Sequence, residues 1–351
     1  MINKTINWLL VILISPIFIF THNEINAQNR AISTNEINLF FSDSAARYVL
    51  ENLDRALVEK ETIYHRFKGY QMQIEWVNKN FNQSVKNIGD EYFLNRDYNN
   101  GIESCKKDSS KVRHILSTLT KLQELEKKTH NQISHHLLSY LPSKEGFDVN
   151  LYFVVFTSIN GQSTGYNIMS RIDWDKDADA ILNGIVHEAY HVGFETQKSN
   201  FHAYTKPTPT NRKMFLDKMF MEIQNEGMAT WMAYNTQKFI PITRSLDPLH
   251  LPEYDYFLLE NDSCVKRSFR QINQIIESSE KLPVDSLNKM DWEIGVTERA
   301  YYVTGAYMAK TIEEKYGKKH LVDLVFRENK KDFINAYNKL VKDKYKMKMV
   351  D

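Results

Sequence analysis

The 351-residue sequence contains only two cysteines, Cys105 and Cys264, and no pair of cysteines separated by two residues. Cysteine-based zinc sites and thioredoxin-type redox centres both depend on such pairs, so neither is expected. An oxidising compartment would permit a disulfide between the two thiols. Their separation in sequence leaves open whether they pair or remain free.

The chain also lacks an excess of charge of either sign. It has 45 lysines and arginines against 44 aspartates and glutamates, for a formal net charge of +1. A protein with almost no net charge has no global electrostatic attraction to nucleic acid or to anionic membranes. We therefore expect no nucleic-acid partner. Internal repeats and low-complexity segments are absent as well.

No apolar run is long enough to span a bilayer comfortably, which takes about 20 residues. The longest covers residues 8–20, follows Lys4 and contains Pro16. Small Ala27 lies shortly after it, at a position suited to cleavage. This pattern is typical of a secretory signal peptide over residues 1–27, with an uncleaved N-terminal anchor as the alternative. The mature protein is then expected in the periplasm or outside the cell, without a stable membrane anchor.

The N-terminal third has the periodicity of helices. Apolar residues recur at helical spacing over residues 45–57 and again over residues 112–125. We therefore predict a helical N-terminal region that covers residues 28–144.

The pattern changes after residue 144. Aromatic and β-branched residues over 147–156 predict a strand, residues 160–163 a turn, and residues 166–174 a second, more exposed strand. Helical patterns follow, one ending near Glu195 and one over residues 211–237. The sequence therefore predicts an α+β fold that is predominantly helical, with a small sheet inside a second domain over residues 145–351.

The first of these two helices carries the sequence His187-Glu188-Ala189-Tyr190-His191. Residues four apart share one face of a helix, so both imidazoles can reach a single Zn²⁺. Glu188 is offset by about 100°, which suits a carboxylate that contacts a water molecule rather than the metal. The alternative is a helix whose histidines face solvent or pack in the core.

A catalytic zinc needs three protein ligands and one open position. The metzincin pattern would require glycine where this chain has Phe194 and histidine where it has Gln197, so that class is excluded. The third ligand must therefore come from elsewhere in the chain.

A later helix contains Asn225-Glu226-Gly227-Met228-Ala229. This segment resembles the Asn-Glu-Gly/Ala segment that carries the third zinc ligand in thermolysin-like and aminopeptidase-N-like enzymes, the gluzincins. The resemblance implies that Glu226 completes the site with His187 and His191. Glu222, one turn earlier on the same helix face, is the alternative ligand.

A third segment adds to the resemblance. Tyr302-Val303-Thr304-Gly305-Ala306 precedes an apolar helix that ends near Gly317. Aminopeptidase-N-like enzymes have a similar segment, whose tyrosine donates a hydrogen bond to the oxyanion of the tetrahedral intermediate. Carried over, this role falls on Tyr302, with Tyr301 as the alternative if the register differs by one residue.

Taken together, the three segments resemble a zincin-like domain of the gluzincin type, and the sequence also looks like an uncharacterised bacterial family of zinc-dependent peptidases. The resemblance implies a secreted zinc metallopeptidase with one Zn²⁺ per chain, a peptide or protein substrate, and Glu188 as general base. Two other functions stay open: a catalytically inactive binding protein that retains the fold, and a zinc hydrolase of non-peptide amides.

One departure from the resemblance bears on substrate type. Aminopeptidases of this group have a Gly-x-Met-Glu-Asn segment before the zinc helix, and its glutamate holds the free amine of the substrate. The corresponding residues 165–170 contain no glutamate. Aminopeptidase activity is therefore not implied, whereas cleavage within a chain or near its carboxyl end stays open. An exposed edge strand over residues 166–172 is expected to pair with an extended peptide.

Overall fold

The computed structural model describes residues 35–80, 92–198, 209–327 and 329–349. All of them belong to one compact unit, Ser33–Asp351. The predicted signal peptide lies outside the described residues, as does most of the segment before the helix predicted over residues 211–237. No helix among the described residues is long and apolar enough to cross a membrane.

The predicted fold class is confirmed: the described chain is mainly helical and contains one small sheet. The strands are β1 Asn38–Ser42, β2 Asp148–Val154, β3 Gly161–Thr164 and β4 Asn167–Arg171. The α-helices are α1 Ser44–Glu51, α2 Leu53–Val58, α3 Lys60–Arg66, α4 Lys68–Asn80, α5 Tyr92–Lys107, α6 Ser109–Leu138, α7 Ala178–Gln197, α8 Arg212–Tyr234, α9 Leu251–Glu260, α10 Asp262–Ser278, α11 Val284–Met290, α12 Ala300–Tyr316, α13 Lys318–Val325 and α14 Lys331–Asn338. Shorter 3₁₀ segments cover Asn235–Lys238 and Asp343–Tyr345, and a π-helix covers Asp291–Thr297.

The sheet has the strand order β1-β2-β4-β3. β1 and β4 both run parallel to β2, and β3 runs antiparallel to β4. β2 alternates inward and outward residues, with Val149, Leu151 and Phe153 buried, because successive side chains of a strand point to opposite faces. β1 precedes residue 144 and β2 follows it, so both predicted regions contribute to one sheet. The domain boundary at residue 144 stays a prediction.

The prediction of an exposed edge strand over residues 166–172 is wrong. β4 lies between β2 and β3, and its residues Ile168, Met169 and Ser170 are buried. The strand at this edge of the sheet is β3, with β1 at the opposite edge, and β3 falls where the sequence predicted only a turn over residues 160–163. The turn lies later instead, at Gly165, whose φ of +54° is a conformation that glycine adopts without steric cost.

Helix α7 is enclosed on nearly all sides. Its buried residues include Leu182, Ile185, Val186, Tyr190 and Val192, and a helix that is apolar around most of its circumference belongs in a protein interior. α7 packs against the sheet through β3 and β4 and against the helices α6 and α8. It therefore occupies the centre of the molecule, with the sheet and its edge strand beside it.

A buried polar network fixes α7 relative to its neighbours. The Nδ2 atom of Asn183 donates to the carbonyl oxygen of Ala233 (2.9 Å), at the C-terminal end of α8, and to the Oγ1 atom of Thr236 (2.6 Å), in the 3₁₀ segment that follows. The Tyr256 hydroxyl of α9 donates to the Oδ1 atom of Asn183. Since buried polar groups are costly when unpaired, this network favours one arrangement of the three helices.

Helices α8 and α12 approach each other most closely at two glycines. A Cβ atom at Gly227 would collide with the backbone of Gly305, and a Cβ atom at Gly305 would collide with the carbonyl oxygen of Ile223 and with the Cα atom of Gly227. Backbone atoms cannot turn aside as a flexible side chain can. The crossing therefore requires both residues to be glycine.

We expect Gly305→Ala to lower the free energy of unfolding by about 1–3 kcal/mol, the usual cost of overpacking a core. Gly184→Ala is the matched control, because a Cβ atom there would lie 3.9 Å from Cγ of Pro252, an ordinary contact. Alanine should stabilise that position in α7 by about 0.5–1 kcal/mol. Urea unfolding monitored by circular dichroism measures both changes. Equal stability of Gly305→Ala and wild type would contradict the close crossing.

Candidate metal centre

His187 and His191 lie one turn apart on α7, as the sequence predicts. Their Nε2 atoms are 3.1 Å apart, and the two rings lie nearly perpendicular at a centroid distance of 4.8 Å. His191 is buried and His187 is half-buried. The two nitrogens therefore converge at one point on the wall of a cleft.

Glu226 of α8 reaches the same point. Its Oε2 atom lies 3.3 Å from Nε2 of His187 and 3.4 Å from Nε2 of His191. These three residues form the one His, Cys, Asp or Glu cluster of suitable geometry for a metal within the part of the chain that the structure describes. The structure thus brings the three predicted ligands together.

The triangle of donor atoms matches the size that zinc requires. Zinc bonds to nitrogen and oxygen are about 2.0–2.2 Å long, and two ligands on a tetrahedron are then about 3.3–3.5 Å apart. The three measured separations are 3.1, 3.3 and 3.4 Å. Two imidazole nitrogens and a carboxylate oxygen are also the donor types that zinc takes. The residues therefore fit one zinc ion with a fourth position open toward the cleft.

Asn225 lies behind the His191 ring. The side chain of Asn225 is buried and interacts with the His191 ring. The Oδ1 atom of Asn225 and the Nδ1 atom of His191 nevertheless form no hydrogen bond with acceptable distance and angles. A histidine that binds metal through Nε2 is commonly oriented through a hydrogen bond from Nδ1. Asn225 is placed to accept that bond.

The side chain of Glu188 faces β3, which forms another wall of the cleft. A Cβ atom at Gly161 would lie 3.3 Å from the Oε1 atom of Glu188, so a side chain at residue 161 would crowd the carboxylate. Burial raises the pKa of Glu188, with the two histidines and the Ser163 side chain acting in the opposite direction. A carboxyl group with a raised pKa is better suited to accept a proton near neutral pH.

The two tyrosines at the start of α12 have different surroundings. The Tyr302 ring stacks on the His187 ring at a centroid distance of 6.1 Å and an interplanar angle of 22°. Tyr301 is fully buried, and its hydroxyl donates to the Oδ1 atom of Asp291. Of the two tyrosines, Tyr302 is thus the one next to the predicted metal ligands. Its role as oxyanion donor stays a prediction.

Sequence reasoning missed Arg299, which lies over the ring of Tyr302. The Cζ atom of Arg299 is 3.1 Å from the ring centroid. Its Nε and Nη2 atoms donate to the two carboxylate oxygens of Asp255, at 2.9 and 2.6 Å. Arg299 and Asp255 are 44 residues apart, on segments whose contact depends on the packing of α9 against α12. No local pattern could have indicated it.

The site opens into a cleft of about 1300 Å³. β3, α7 and α8 form its walls around the ligands, and Trp76 and Trp292 line it with ring centroids 6.0 Å apart. Glu222 also lines the cleft but is not part of the ligand triangle. Burial, with the nearby charge of Glu226, raises its pKa to about 7.

The two cysteines lie outside this site and are both free, Cys105 in the core and Cys264 half-buried. The sequence left open whether the two thiols pair, and in this structure no disulfide joins them.

The chain was compared with protein families, curated proteins and solved structures. A family model with the description "Putative zinc dependent peptidase (DUF5700)" matches residues 47–346, which include every residue of the site. No curated protein matches the chain. No solved structure matches it either.

We expect Glu226→Gln to lower the affinity for zinc by about 100-fold or more, because it removes one of three ligands. Glu222→Gln is the matched control, with the same change one turn away on the same helix, and it should keep about one zinc per chain. Elemental analysis after dialysis measures the zinc content. Zinc should raise the melting temperature of wild type but not of Glu226→Gln. Loss of zinc from Glu222→Gln alone would make Glu222 the ligand.

Proposed function

Because the chain belongs to the family described as "Putative zinc dependent peptidase", we propose that it is a metallopeptidase of the gluzincin type that hydrolyses peptide bonds at this site. His187, His191 and Glu226 hold one zinc ion in this proposal. The observation that carries it is the triangle of three donor atoms 3.1–3.4 Å apart, with the carboxylate of Glu188 beside it.

The zinc supplies Lewis-acid chemistry, which polarises a carbonyl oxygen and lowers the pKa of a water molecule. The residues of the chain supply the proton transfers. Glu188 takes a proton from the attacking water and then delivers it to the leaving amine. The Tyr302 hydroxyl donates a hydrogen bond to the carbonyl oxygen, where negative charge develops only in the transition state.

A purely structural role for the zinc would leave two features without use. A structural site is closed by four protein ligands, whereas the described residues here supply three. A structural site also has no need of a carboxylate such as Glu188 beside it. Both features favour a hydrolase over a binding protein that retains the fold.

The substrate in this proposal is an extended peptide that lies along β3. β3 is an edge strand, and among the described residues no strand pairs with its outer side, which leaves that side able to pair with an extended peptide. Its first residue, Gly161, lies next to Glu188, which brings a paired peptide to the catalytic carboxylate. Neither β3 nor residues 165–170 supply a glutamate for a free amine. We therefore propose cleavage within peptide chains rather than at their amino ends.

The test compares wild type with Glu188→Gln against casein and a peptide library. The variant should keep about one zinc per chain and lose cleavage by about 100-fold or more, because the proton acceptor is gone. Cleavage is measured by mass spectrometry of the products.

Three other results are informative. Retained cleavage in the variant would remove Glu188 from the mechanism. If wild type binds zinc and cleaves no peptide, the binding-protein alternative takes its place. Cleavage of non-peptide amides alone would instead establish the amide-hydrolase alternative.

We further propose that the protein is exported and processed after Ala27, so that Gln28 becomes its first residue. The predicted signal peptide over residues 1–27 supports this proposal. Mass spectrometry of the N-terminal peptide of protein purified from the periplasm or medium should show a chain that begins at Gln28, as glutamine or as pyroglutamate. An intact Met1 on protein that fractionates with membranes would support the uncleaved anchor instead.

A further inference from the structure

Arg299 divides its contacts between two partners in different directions. The edge of its guanidinium donates two hydrogen bonds to the carboxylate of Asp255, and its carbon atom lies 3.1 Å from the centroid of the Tyr302 ring. A planar guanidinium can make such a forked pair within its plane and stack on an aromatic ring with its face. The stacked contact is therefore separate from the ion pair.

The position of Arg299 is tightly held. The residue is 9 % exposed, and its partner Asp255 is 3 % exposed. Its backbone adopts φ of +63° at the N-terminal cap of α12, a conformation that few residues other than glycine adopt. Tyr302 follows three residues later, so the guanidinium covers the ring from the preceding turn of the chain. This backbone conformation at Arg299 places its side chain over the ring of Tyr302.

An ion pair alone does not account for the arrangement. A buried pair adds little to stability compared with apolar residues of similar volume. Burial lowers the pKa of Arg299, whereas Asp255 and, more weakly, the proposed ligand Glu226 raise it. Arg299 thus lies within the electrostatic field of the metal centre.

We infer that Arg299 is a positioning residue for Tyr302, which holds the phenol ring beside the metal centre and strengthens the hydrogen bond that its hydroxyl donates to the substrate carbonyl oxygen. This inference rests on the proposed function.

As negative charge develops on the carbonyl oxygen of the substrate, the Tyr302 hydroxyl shares its proton with that oxygen. The electron density on the Tyr302 ring therefore rises. A cation over the ring face stabilises this state more than the ground state. The effect then falls on kcat and spares KM.

A double-mutant cycle tests the inference with Arg299→Lys, Tyr302→Phe and the double variant. Lysine keeps the positive charge beside Asp255, but it lacks the planar guanidinium that stacks on the ring and donates two hydrogen bonds to the carboxylate. We expect Arg299→Lys to lower kcat about tenfold with little change in KM, and Tyr302→Phe to lower kcat about 100-fold. The double variant should match Tyr302→Phe, because Arg299 acts only through the hydroxyl. Zinc content and melting temperature are recorded for each variant.

Arg171→Lys is the matched control. Arg171 also lines the cleft, but it donates to the carbonyl oxygen of Thr157 and not toward Tyr302. Its effect on kcat should be the same with tyrosine or phenylalanine at residue 302. If Arg299→Lys fails to fold, Asp255→Asn replaces it in the cycle, because that change loosens the guanidinium without removing it.

The inference is overturned if Arg299→Lys has wild-type kcat, or if its effect persists undiminished in the Tyr302→Phe background. A second cycle measures the dissociation constant of a peptide phosphinate, a tetrahedral anion that mimics the transition state, by calorimetry. If wild type cleaves nothing but this cycle is non-additive, the proposed function fails, whereas the positioning of the Tyr302 hydroxyl by Arg299 is supported. If wild type neither cleaves peptides nor binds the phosphinate, both are overturned.

Discussion

The crossing of α8 and α12 at Gly227 and Gly305 is the contact on which the candidate site depends. Glu226 directly precedes one glycine, and Tyr302 lies one turn before the other. Because the two backbones touch, the carboxylate of Glu226 on α8 and the phenol ring of Tyr302 on α12 both come next to the imidazole of His187. Any side chain at either glycine would push the helices apart and separate these groups.

Electrostatics explains why these groups stay together. Two imidazole nitrogens and a carboxylate oxygen converge with little solvent around them, and burial alone disfavours such a concentration of lone pairs and charge. A divalent cation at the centre of the triangle reverses this penalty, since it attracts all three donors. The energy that holds the site is thus expected to come largely from the ion, as in other metal sites whose ligands lie on separate helices.

Much of this site could be predicted from local sequence, and the reason is helix geometry. The spacing of His187 and His191 fixes their relative positions whatever the rest of the fold does. Glu226 needed the resemblance to a known segment, because nothing local joins α8 to α7. Of the two tyrosines, the structure places Tyr302 beside the ligands, whereas sequence alone left the register open.

The remaining features depend on which elements become neighbours. β3 was predicted as a turn because Asn160 and Gly161 are typical turn residues, and its pairing with β4 overrides that preference. β4 was predicted as an exposed edge strand, yet strands flank it on both sides. The contact of Arg299 with Asp255 joins residues far apart in sequence. Such pairings are set by tertiary packing, which periodicity does not encode.

The position of β1 limits how such a protein can mature. Many secreted peptidases are held inactive by an N-terminal segment that is cut away. Here residues Asn38–Ser42 of β1 pair in parallel with residues 148–152 of β2, which is an interior strand of the sheet. Cutting the chain anywhere after residue 42 and releasing the piece would leave β2 with an unpaired edge, which invites aggregation. A proteolytic cut before β1 would leave the sheet intact.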